Sequence, residues 1–571
     1  MQPWETQLIN RTASDKGWKL IEGFSQQMRC MPEDVRKGAG ILVGVLKECG
    51  VEATVYEPEI YLGIPVAASI STACSTISCK ASALSPKVEN LNAQMIHLKA
   101  KPSQQGVHPG DPSSLFEHQF TSVEEARTMV SGRIVLTEGL SNPARTQLLQ
   151  SWGAVGVVVI NPGERSHWGT NSAIWGSPIG DELETLPEIA SVAVSRSEGA
   201  HLLEMAKAEQ AVTLDVDALH GWFSQPVVTA EVRGEGPEAD DFVLLHSHYD
   251  SWEYGVGDNA TGNAVLLEVA RLLSQNSKPL RRSVRFAWWP GHSAGRYAGS
   301  TWYADAFGPD LDRHCIAHVN CDSPGCVDAT SYAAIRSMVE AGPLLKRTVQ
   351  DLFGQVCNVT RPGRAGDYSF NNLGITGTML TSSMVPKEER DRRGWYAVGG
   401  CGGSPAWHSE YDTLEVADRS ILENDIALYG LMVARLANET RIPLDYNETF
   451  LELRSSLETF APKHLDCDQF QQLNLGLAES SNRFAILESL SNSSDEQINL
   501  RRLRLSRALV RMNYSIGPAH TQDPARSVQA LPVLSSTPEL SSKSPQANLA
   551  RLRAYNSLQF SLGEINRILN M

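Results

Sequence analysis

Acidic and imidazole side chains crowd one short segment of this 571-residue chain. His248, Asp250 and Asp258 follow the apolar run at 242–245, which is typical of a buried strand. A neutral imidazole at His248 and a carboxylate at Asp258 can bind a cation such as Zn²⁺, and Asp250 could accept the second imidazole N–H. The alternative interpretation is a surface loop in which Asp258 or Asn259 caps the following helix.

Two further residues could complete such a site from distant parts of the chain. Asp322 follows the apolar segment 316–320, which is typical of another strand, and His408 opens a polar stretch at 408–413. Either residue alone is more typical of a capping aspartate or a hydrogen-bonded histidine. We therefore treat them as ligand candidates only as a set with His248 and Asp258.

The elements around these residues favour an α/β fold. The middle of the chain alternates between an apolar strand at 242–245, a helix with Val265, Val269 and Leu272 on one stripe, and a strand at 284–289. In open α/β sheets, ligands bind at the carboxyl ends of the strands. We expect the candidate site at that edge of the sheet.

Three other regions differ from this central one. A helix and an alternating strand precede residue 68, where we place a boundary. The next region contains a Pro/Gly-rich loop at 102–112 and a small strand–helix–strand module. The Gly-Ala-Val-Gly-Val-Val strand of this module, at 153–158, makes it similar to the protease-associated (PA) domain inserted into several peptidases. After about residue 445 the pattern predicts helices, with a Pro/Ser-rich crossover at 518–545.

Composition argues against several classes of function. Acidic residues outnumber basic ones by 65 to 50, a formal net charge of −15, so a nucleic-acid binder is not expected. No basic leader precedes an apolar run, and no stretch of about 18 apolar residues occurs, so neither secretion nor membrane spanning is expected. The ten cysteines are spread thinly and form no CxxC pair. We expect reduced thiols and a cytoplasmic protein.

Four sequence blocks together resemble the M28 zinc peptidases, and most closely the branch that contains glutamate carboxypeptidase II and the transferrin receptor. The blocks are His-Tyr-Asp-Ser-Trp at 248–252, Gly-Asp-Asn-Ala-Thr-Gly at 257–262, Asn-Cys-Asp-Ser at 320–323 and His-Ser-Glu-Tyr-Asp-Thr at 408–413. Four separated blocks in the family order are hard to obtain by chance.

The resemblance implies a particular domain order. Residues 1–68 and 226–445 would form an M28-type mixed-sheet α/β zinc-peptidase domain. Residues 69–225 would form a PA-like apical domain inserted into it. Residues 446–571 would form a C-terminal helical domain through which the chain makes a homodimer.

The resemblance also implies roles for individual residues. Asp258 would bridge two metal ions, with His248 and Asp322 at the first position and His408 at the second, while Asp250 would support His248. The cofactor would be one or two divalent ions, by default zinc, although iron or manganese suits the same ligands. The nucleophile would be a water molecule whose pKa the metal lowers.

One segment departs from the family pattern. Active members carry a Glu-Glu pair after the strand at 284–289, in which the first glutamate is the general base and the second is a metal ligand. This chain has His292 and Ser293 there, with one extra residue before Gly299. Because His292 could act as a base or bind a metal, we expect chemistry other than ordinary peptidase activity.

Residues near the altered pair are candidates for substrate binding. We predict that Arg296 and Tyr297 contact the substrate and that Arg296 binds a carboxylate; the alternative is a solvated arginine at the start of a helix. Arg364 is predicted as a second anion contact. The expected partner is a small molecule or a short peptide-like compound, including anionic ones.

Three functions stay open at this point. The first is a metal-dependent hydrolase of a small amide, ureido or peptide-like substrate, with His292 in place of the glutamate base. The second is a metal-dependent lyase that uses His292 as the base of an elimination. The third is a catalytically inactive binding protein like the transferrin receptor. The retained imidazoles and carboxylates count against this third function, because burying them without a cation is costly.

Overall fold

The computed structural model describes residues 1–101, 115–118, 120–276, 279–379, 381–490, 494–526, 529–536, 540 and 544–571. The predicted Pro/Gly-rich loop at 102–112 lies outside these residues. The described residues form two large sheets, one inserted into the chain of the other, with helices on their faces.

The N-terminal region supplies helices that cover the first sheet and one edge strand of it. Its elements are α1 (Pro3–Ile9), α2 (Asp15–Phe24), α3 (Pro32–Glu48) and β1 (Ala53–Tyr56). Strand β1 pairs with a strand from residue 227 onwards, so the sheet is built from two distant parts of the chain.

The inserted module, residues 59–224, carries an eight-stranded sheet of order β3-β2-β9-β5-β6-β7-β8-β4. Its elements are β2 (Glu59–Ser71), β3 (Thr76–Ser78), β4 (Lys80–Ala81), β5 (Val88–His97), α4 (Val123–Val130), β6 (Ile134–Glu138), α5 (Pro143–Ser151), β7 (Gly156–Ile160), β8 (Ala190–Val194), α6 (Arg196–Lys207) and β9 (Ala211–Ser224). Strand β2 runs through residue 68, so the predicted boundary falls inside a strand that pairs with β9. The period-2 pattern changes at Pro65, where a bulge interrupts this pairing and not the strand.

The central region follows with the second sheet, of order β1-β10-β12-β11-β13-β16. Its elements are β10 (Val227–Val232), β11 (Phe242–His248), α7 (Thr261–Ser274), β12 (Ser283–Trp289), α8 (Ala298–Ala306), α9 (Gly308–His314), β13 (Cys315–Asn320), β14 (Ala334–Arg336), α10 (Gly342–Phe353), β15 (Asn358–Thr360), β16 (Gly377–Thr378), α11 (Lys387–Arg392) and α12 (Arg419–Asn438). Strands β12, β11, β13 and β16 are parallel, whereas β10 and β1 are antiparallel to their neighbours. The predicted α/β mixed sheet is confirmed.

The C-terminal region is helical, as the sequence predicts. Its helices are α13 (Tyr446–His464), α14 (Cys467–Ser489), α15 (Asp495–Tyr514), α16 (Pro532–Ser535) and α17 (Pro545–Leu569). Leu457, Leu505 and Leu562 from these helices belong to the same buried cluster as Val243 and Leu245 of β11. The C-terminal helices therefore pack against the second sheet and share its hydrophobic core.

The chain offers no sign of a membrane-spanning helix within its described part, since none of the helices there combines the required length and apolarity.

Candidate metal centre

The candidate site lies where three parallel strands end. Strand β11 is buried at every residue and ends at His248, β12 ends three residues before His292, and β13 ends two residues before Asp322. Because β11 pairs with β12 on one side and β13 on the other, it marks the point where the chain reverses its order across the sheet. Such a crevice is where open α/β sheets bind ligands.

Asp258 faces two imidazoles, one with each carboxylate oxygen. Its Oδ1 lies 3.1 Å from Nε2 of His248, and its Oδ2 lies 3.1 Å from Nε2 of His408. Asp322 Oδ1 lies 3.8 Å from the same His248 nitrogen. The four predicted ligands thus converge, although 160 residues separate the first from the last.

Backbone carbonyls set the tautomer of both imidazoles. Nδ1 of His248 lies 3.0 Å from the carbonyl oxygen of Asp250, and Nδ1 of His408 lies 2.9 Å from that of Trp168. Since a carbonyl can only accept, each Nδ1 carries the proton in the neutral ring. Each Nε2 is then left with a lone pair directed towards Asp258.

The donor set fits a divalent cation. The buried Nε2 of His248 lies 3.1 Å from Asp258 without the geometry of a good hydrogen bond, an arrangement that a cation shared by the two groups would satisfy. Burial alone would raise the pKa of Asp258, but the imidazoles of His248 and His408 hold this pKa well below its usual range. Burial lowers the pKa of His248, and Asp258 and Asp322 more than offset this, so its pKa is well above normal. Nitrogen and carboxylate oxygen atoms in this arrangement are typical zinc ligands.

His292 belongs to the same site and is held by a carboxylate that sequence reasoning did not assign a role. Its ring stacks on His248 with centroids 3.7 Å apart, and its Nδ1 lies 2.8 Å from Oδ2 of Asp367. One ligand atom each from His248, His292 and Asp322 lie within 4.8 Å of one another. Because Asp367 engages Nδ1, Nε2 is the ring nitrogen of His292 that is left to take a proton or bind a cation.

Asp250 supports the site in a different way from that predicted. Its carboxylate oxygens accept the backbone N–H groups of His292 at 3.1 Å and of Ser293 at 3.0 Å. The carboxylate lies 3.7 Å from Nδ1 of His248, and the hydrogen bond at that nitrogen goes to the Asp250 carbonyl. Asp250 therefore fixes the turn that carries His292, because that turn has two N–H groups to satisfy.

A buried arginine from the N-terminal region holds the loop between His248 and Asp258. The guanidinium of Arg29 donates to the carbonyl oxygens of Tyr249, Tyr254 and Gly255 at 2.7 to 3.0 Å. Burial lowers the pKa of Arg29 to about 10, so it stays charged at neutral pH. Gly255 has a φ of 54°, a left-handed conformation that favours a glycine in this bend.

Two side chains fix the backbone at Asp258 itself. Asp412 accepts the N–H groups of Gly257 at 2.6 Å and Asp258 at 2.9 Å, and burial together with the Asp258 charge raises its pKa to about 7. Asn259 accepts from the N–H groups of Gly262 and Ser323, both at 3.1 Å. Asn259 thus has the capping contact of the alternative interpretation, and it also ties the β11 loop to the β13 loop.

The predicted substrate residues lie on one side of His292. Tyr297 is buried, with its ring centroid 4.8 Å from that of His292, and Nη1 of Arg296 lies 3.3 Å from the Tyr297 hydroxyl. Nε of Arg296 is buried without a hydrogen-bond partner. Both residues have left-handed φ angles, of 49° and 73°, where the segment accommodates its extra residue.

Arg364 is buried one layer further from the metal ligands. Its guanidinium packs 4.2 Å from the ring of Trp175, which in turn packs on Tyr297. Nε donates to the carbonyl of Asp523 at 3.0 Å and Nη2 to the side chain of Gln522 at 3.3 Å. Only Nη1 lacks a partner, so a contact of Arg364 with an anion stays a prediction that depends on that nitrogen.

The two sides of Asp258 differ in how many ligands they offer. The His248 side also has Asp322 and Nε2 of His292 within reach. Ser293 lies buried beside His292, and its backbone N–H is bound to Asp250. Around His408, the named ligand candidates are Asp258 and His408 itself.

These features define an α/β protein whose strand ends bring two imidazoles to the two oxygens of one carboxylate, a donor set suited to a divalent cation. Residues 227–428 match the sequence profile of peptidase family M28. The probable glutamate carboxypeptidase VP8 of Zea mays is 27% identical over 247 residues, which cover 40% of this chain and 33% of that protein. An aminopeptidase of Pseudomonas aeruginosa strain UCBPP-PA14 is 28% identical over 229 residues, which cover 38% of this chain and 42% of that protein.

The fold agrees with solved structures as well. The structure of BSAP, a zinc aminopeptidase from Bacillus subtilis, matches with a TM-score of 0.55 and 18% identity, covering 76% of this chain and 98% of that one. The match to the first curated relatives spans about a third of their length. The comparisons thus show a match to the M28 profile over residues 227–428 and a fold shared with the solved structure.

Three supporting residues carried little signal in the sequence. Asp367 closes a Gly-Arg-Ala-Gly-Asp segment that is typical of a loop, and Arg29 precedes the first predicted strand. Trp168 lies in the inserted module, 240 residues from the histidine that it holds. The supporting residues Asp250, Asn259 and Asp412, by contrast, fall inside blocks that the sequence singles out.

Proposed function

We propose that the protein is a metal-dependent hydrolase of a small amide, ureido or peptide-like substrate, in which His292 replaces a glutamate general base. The observation that carries this proposal is the convergence of His248, Asp258, Asp322 and His408, with His292 and Asp367 beside them. The M28 match and the peptidases among the relatives support hydrolysis. Zinc is the favoured ion, since the donors are imidazoles and carboxylates.

Each residue near the site has a task in this proposal. A bound divalent ion would polarise the scissile carbonyl and lower the pKa of the attacking water. His292 accepts the proton of that water at Nε2 and returns it to the leaving nitrogen. Asp367 accepts the Nδ1–H of His292 and stabilises the ring while it is protonated. Asp250 holds the backbone of His292 and so fixes where Nε2 lies.

Substrate binding is assigned to the side of His292 that carries Tyr297. The unpartnered Nε of Arg296 and Nη1 of Arg364 are buried N–H groups that an anion would satisfy. Trp175 and Tyr297 pack between the two guanidinium groups. These contacts favour substrates with a carboxylate near the scissile bond.

Product analysis in ¹⁸O-labelled water tests the reaction. Zinc-loaded protein would be incubated with N-acetyl amino acids, N-carbamoyl amino acids and dipeptides. Hydrolysis must place solvent oxygen in the product, whereas an elimination by His292 would release an unsaturated product without it. An unsaturated product would make the protein a lyase. A metal content below one ion per chain, which His248→Ala does not change, would support a binding protein.

The role of His292 has its own test. His292→Ala should lower kcat roughly a hundredfold to ten thousandfold with metal content unchanged, because a general base contributes this much. A parallel loss of metal would reassign His292 as a ligand. His314→Ala, which replaces a histidine paired with Asp241 at the other end of the sheet, serves as the matched control.

We also propose a homodimer through the C-terminal helices. Leu549, Leu552 and Phe560 are exposed along one stripe of α17, and Phe560 is 81% exposed. Because α13 to α17 share a core with the catalytic sheet, truncating them would unfold the protein. Phe560→Glu is the better test: sedimentation should show a monomer, whereas Val356→Glu, at a residue 83% exposed elsewhere, should leave the dimer intact.

We place the protein in the cytoplasm, where its thiols would stay reduced. All ten cysteines are free, and six of them are buried. Fractionation of cells that express the tagged chain would test this assignment.

A further inference from the structure

The inserted module forms hydrogen bonds with the loop that carries His408. The backbone N–H of Trp168 donates to the carbonyl of His408 at 2.9 Å, and Nδ1 of His408 donates to the carbonyl of Trp168, also at 2.9 Å. Two hydrogen bonds of opposite direction thus join the same pair of residues. They fix both the backbone and the ring of His408 to a segment that leaves β7 of the inserted module.

The preceding residue, His167, adds a second attachment. It is 2% exposed, and its Nδ1 donates to the carbonyl of Trp407 at 2.6 Å. Its Nε2 lies 2.6 Å from the hydroxyl of Tyr396, which donates to it and so keeps the proton on Nδ1. Burial lowers the pKa of His167 to about 4, so the ring is neutral in this contact.

Side chains on both sides of this pair hold the module against the same loop. Nζ of Lys80 lies 2.5 Å from Glu410, and the guanidinium of Arg165 packs 4.2 Å from the ring of Tyr411. The Trp168 indole stacks on Trp252 at 5.8 Å between centroids. The inserted module therefore contacts four residues of the loop at 407–411, namely Trp407, His408, Glu410 and Tyr411.

This docking matters because the loop does not fix His408 by itself. His408 has a φ of 54°, a left-handed conformation that a histidine adopts only when its surroundings compensate. No regular helix or strand contains it, and its ring is held by Trp168 and by stacking on Trp407 at 3.5 Å. Asp258 and His408 are the two named ligands at this position, so cation binding here depends more on the orientation of each ligand than it does on the His248 side.

We propose that His167 and Trp168 are positioning residues of the metal centre, which couple docking of the inserted module to cation binding between Asp258 and His408. The proposal rests on the proposed metal-dependent function. Because such coupling is reciprocal, docking strengthens cation binding and the bound cation strengthens docking. On the other side of Asp258 the module reaches neighbouring residues, as in the hydrogen bonds from Trp168 Nε1 to Glu253 at 2.7 Å and from the Gly63 N–H to the Ala294 carbonyl at 2.9 Å. No described hydrogen bond joins the module to His248, Asp322 or His292 themselves, so these ligands depend on it less.

Zinc titration of the full chain against a chromophoric chelator tests the coupling. For His167→Ala we expect roughly 10-fold to 100-fold weaker affinity of the weakest-bound zinc ion, the usual cost of losing a group that orients a ligand, with the tighter ion unchanged. His167→Asn should restore much of this affinity, since its amide N–H can replace Nδ1–H. His201→Ala, an exposed histidine on α6 of the same module, should match the wild type.

Hydrogen exchange provides a readout that a merely structural role would not move. Adding zinc to the wild type should slow exchange at 161–168 and 404–411, and this protection should be smaller in His167→Ala. Tyr396→Phe, which removes only the hydroxyl contact, should show an intermediate effect and covers the case in which His167→Ala fails to fold.

Two outcomes would overturn the proposal. One is that His167→Ala and Tyr396→Phe both bind every zinc ion with the same affinity as the wild type. The other is equal weakening of all ions together with a lower Tm, which indicates general destabilisation. Wild-type protein that binds no zinc would instead overturn the proposed function, so the two failures are distinguishable.

Discussion

The two sides of Asp258 are built in different ways. On one side, His248 is the last residue of β11 within the sheet, and Asp322 and His292 follow the ends of the adjacent parallel strands by two and three residues. On the other side, His408 lies in an irregular loop with a left-handed φ and is held by the inserted module. The His248 side is thus positioned by a single sheet, whereas the His408 side is positioned by a contact between two regions of the chain.

This difference teaches where precision in a site comes from. Adjacent strands lie about 4.8 Å apart, so side chains that follow their ends start out close together. A loop has no such frame, and its conformation must be supplied by hydrogen bonds from elsewhere. We therefore expect the His248 side to keep its cation under conditions that release one from the His408 side.

Removing the bridge between the two sides should have the largest effect. Asp258→Asn keeps the size of the side chain but takes away the negative charge that both sides share. We expect hydrolysis to fall roughly a thousandfold or more, since metal-based stabilisation is worth several kcal/mol. Bound zinc, measured by mass spectrometry, should also fall. Asp241→Asn, at the opposite end of β11, is the control and should keep both properties.

Replacing one histidine on each side should separate the two positions. His248→Ala should abolish tight zinc binding and activity, because it removes the ligand shared with Asp258 and Asp322. His408→Ala should keep one tightly bound ion per chain and lose only the weaker one. Equal zinc loss in the two variants would contradict the comparison and indicate a single shared ion.

The carboxylate behind His292 should have a smaller effect confined to one side. Asp367→Asn is expected to lower kcat by roughly 10-fold to 100-fold, because the amide no longer favours the tautomer with a free Nε2. Ser300→Ala removes the other contact of Asp367, at 2.7 Å, and should change kcat much less. Similar kcat losses in both variants would indicate a packing role for the cluster.

The smallest effect should come from the ion pair at the module contact. Lys80→Met removes the pairing with Glu410, and a largely exposed partner limits its contribution to about 1 kcal/mol. We expect the weaker zinc ion to bind at most a few-fold less tightly, with the tighter ion unaffected. A larger loss would mean that Lys80, and not His167, provides the main attachment.

Much of the fold could be predicted from residue patterns. The apolar runs at β11 and β12 and the Ile-Ala-His-Val-Asn run in β13 are buried strands, as expected for a parallel sheet. The boundary at residue 68 could not be placed, because a bulge near Pro65 and a true strand end look alike in sequence. The parts of the site that escaped prediction, Asp367 and Trp168, act through contacts with distant residues.

The sequence by itself determined which donors this protein carries: two imidazoles and two carboxylates in separate blocks, and His292 in the segment after β12. Only the tertiary structure decided which atoms meet. His292 turns its Nδ1 to Asp367, and His408 turns its Nδ1 to a loop carbonyl of the inserted module. The reason is physical: residue type fixes what a side chain can bind, but hydrogen bonds across the fold fix where its lone pair is directed.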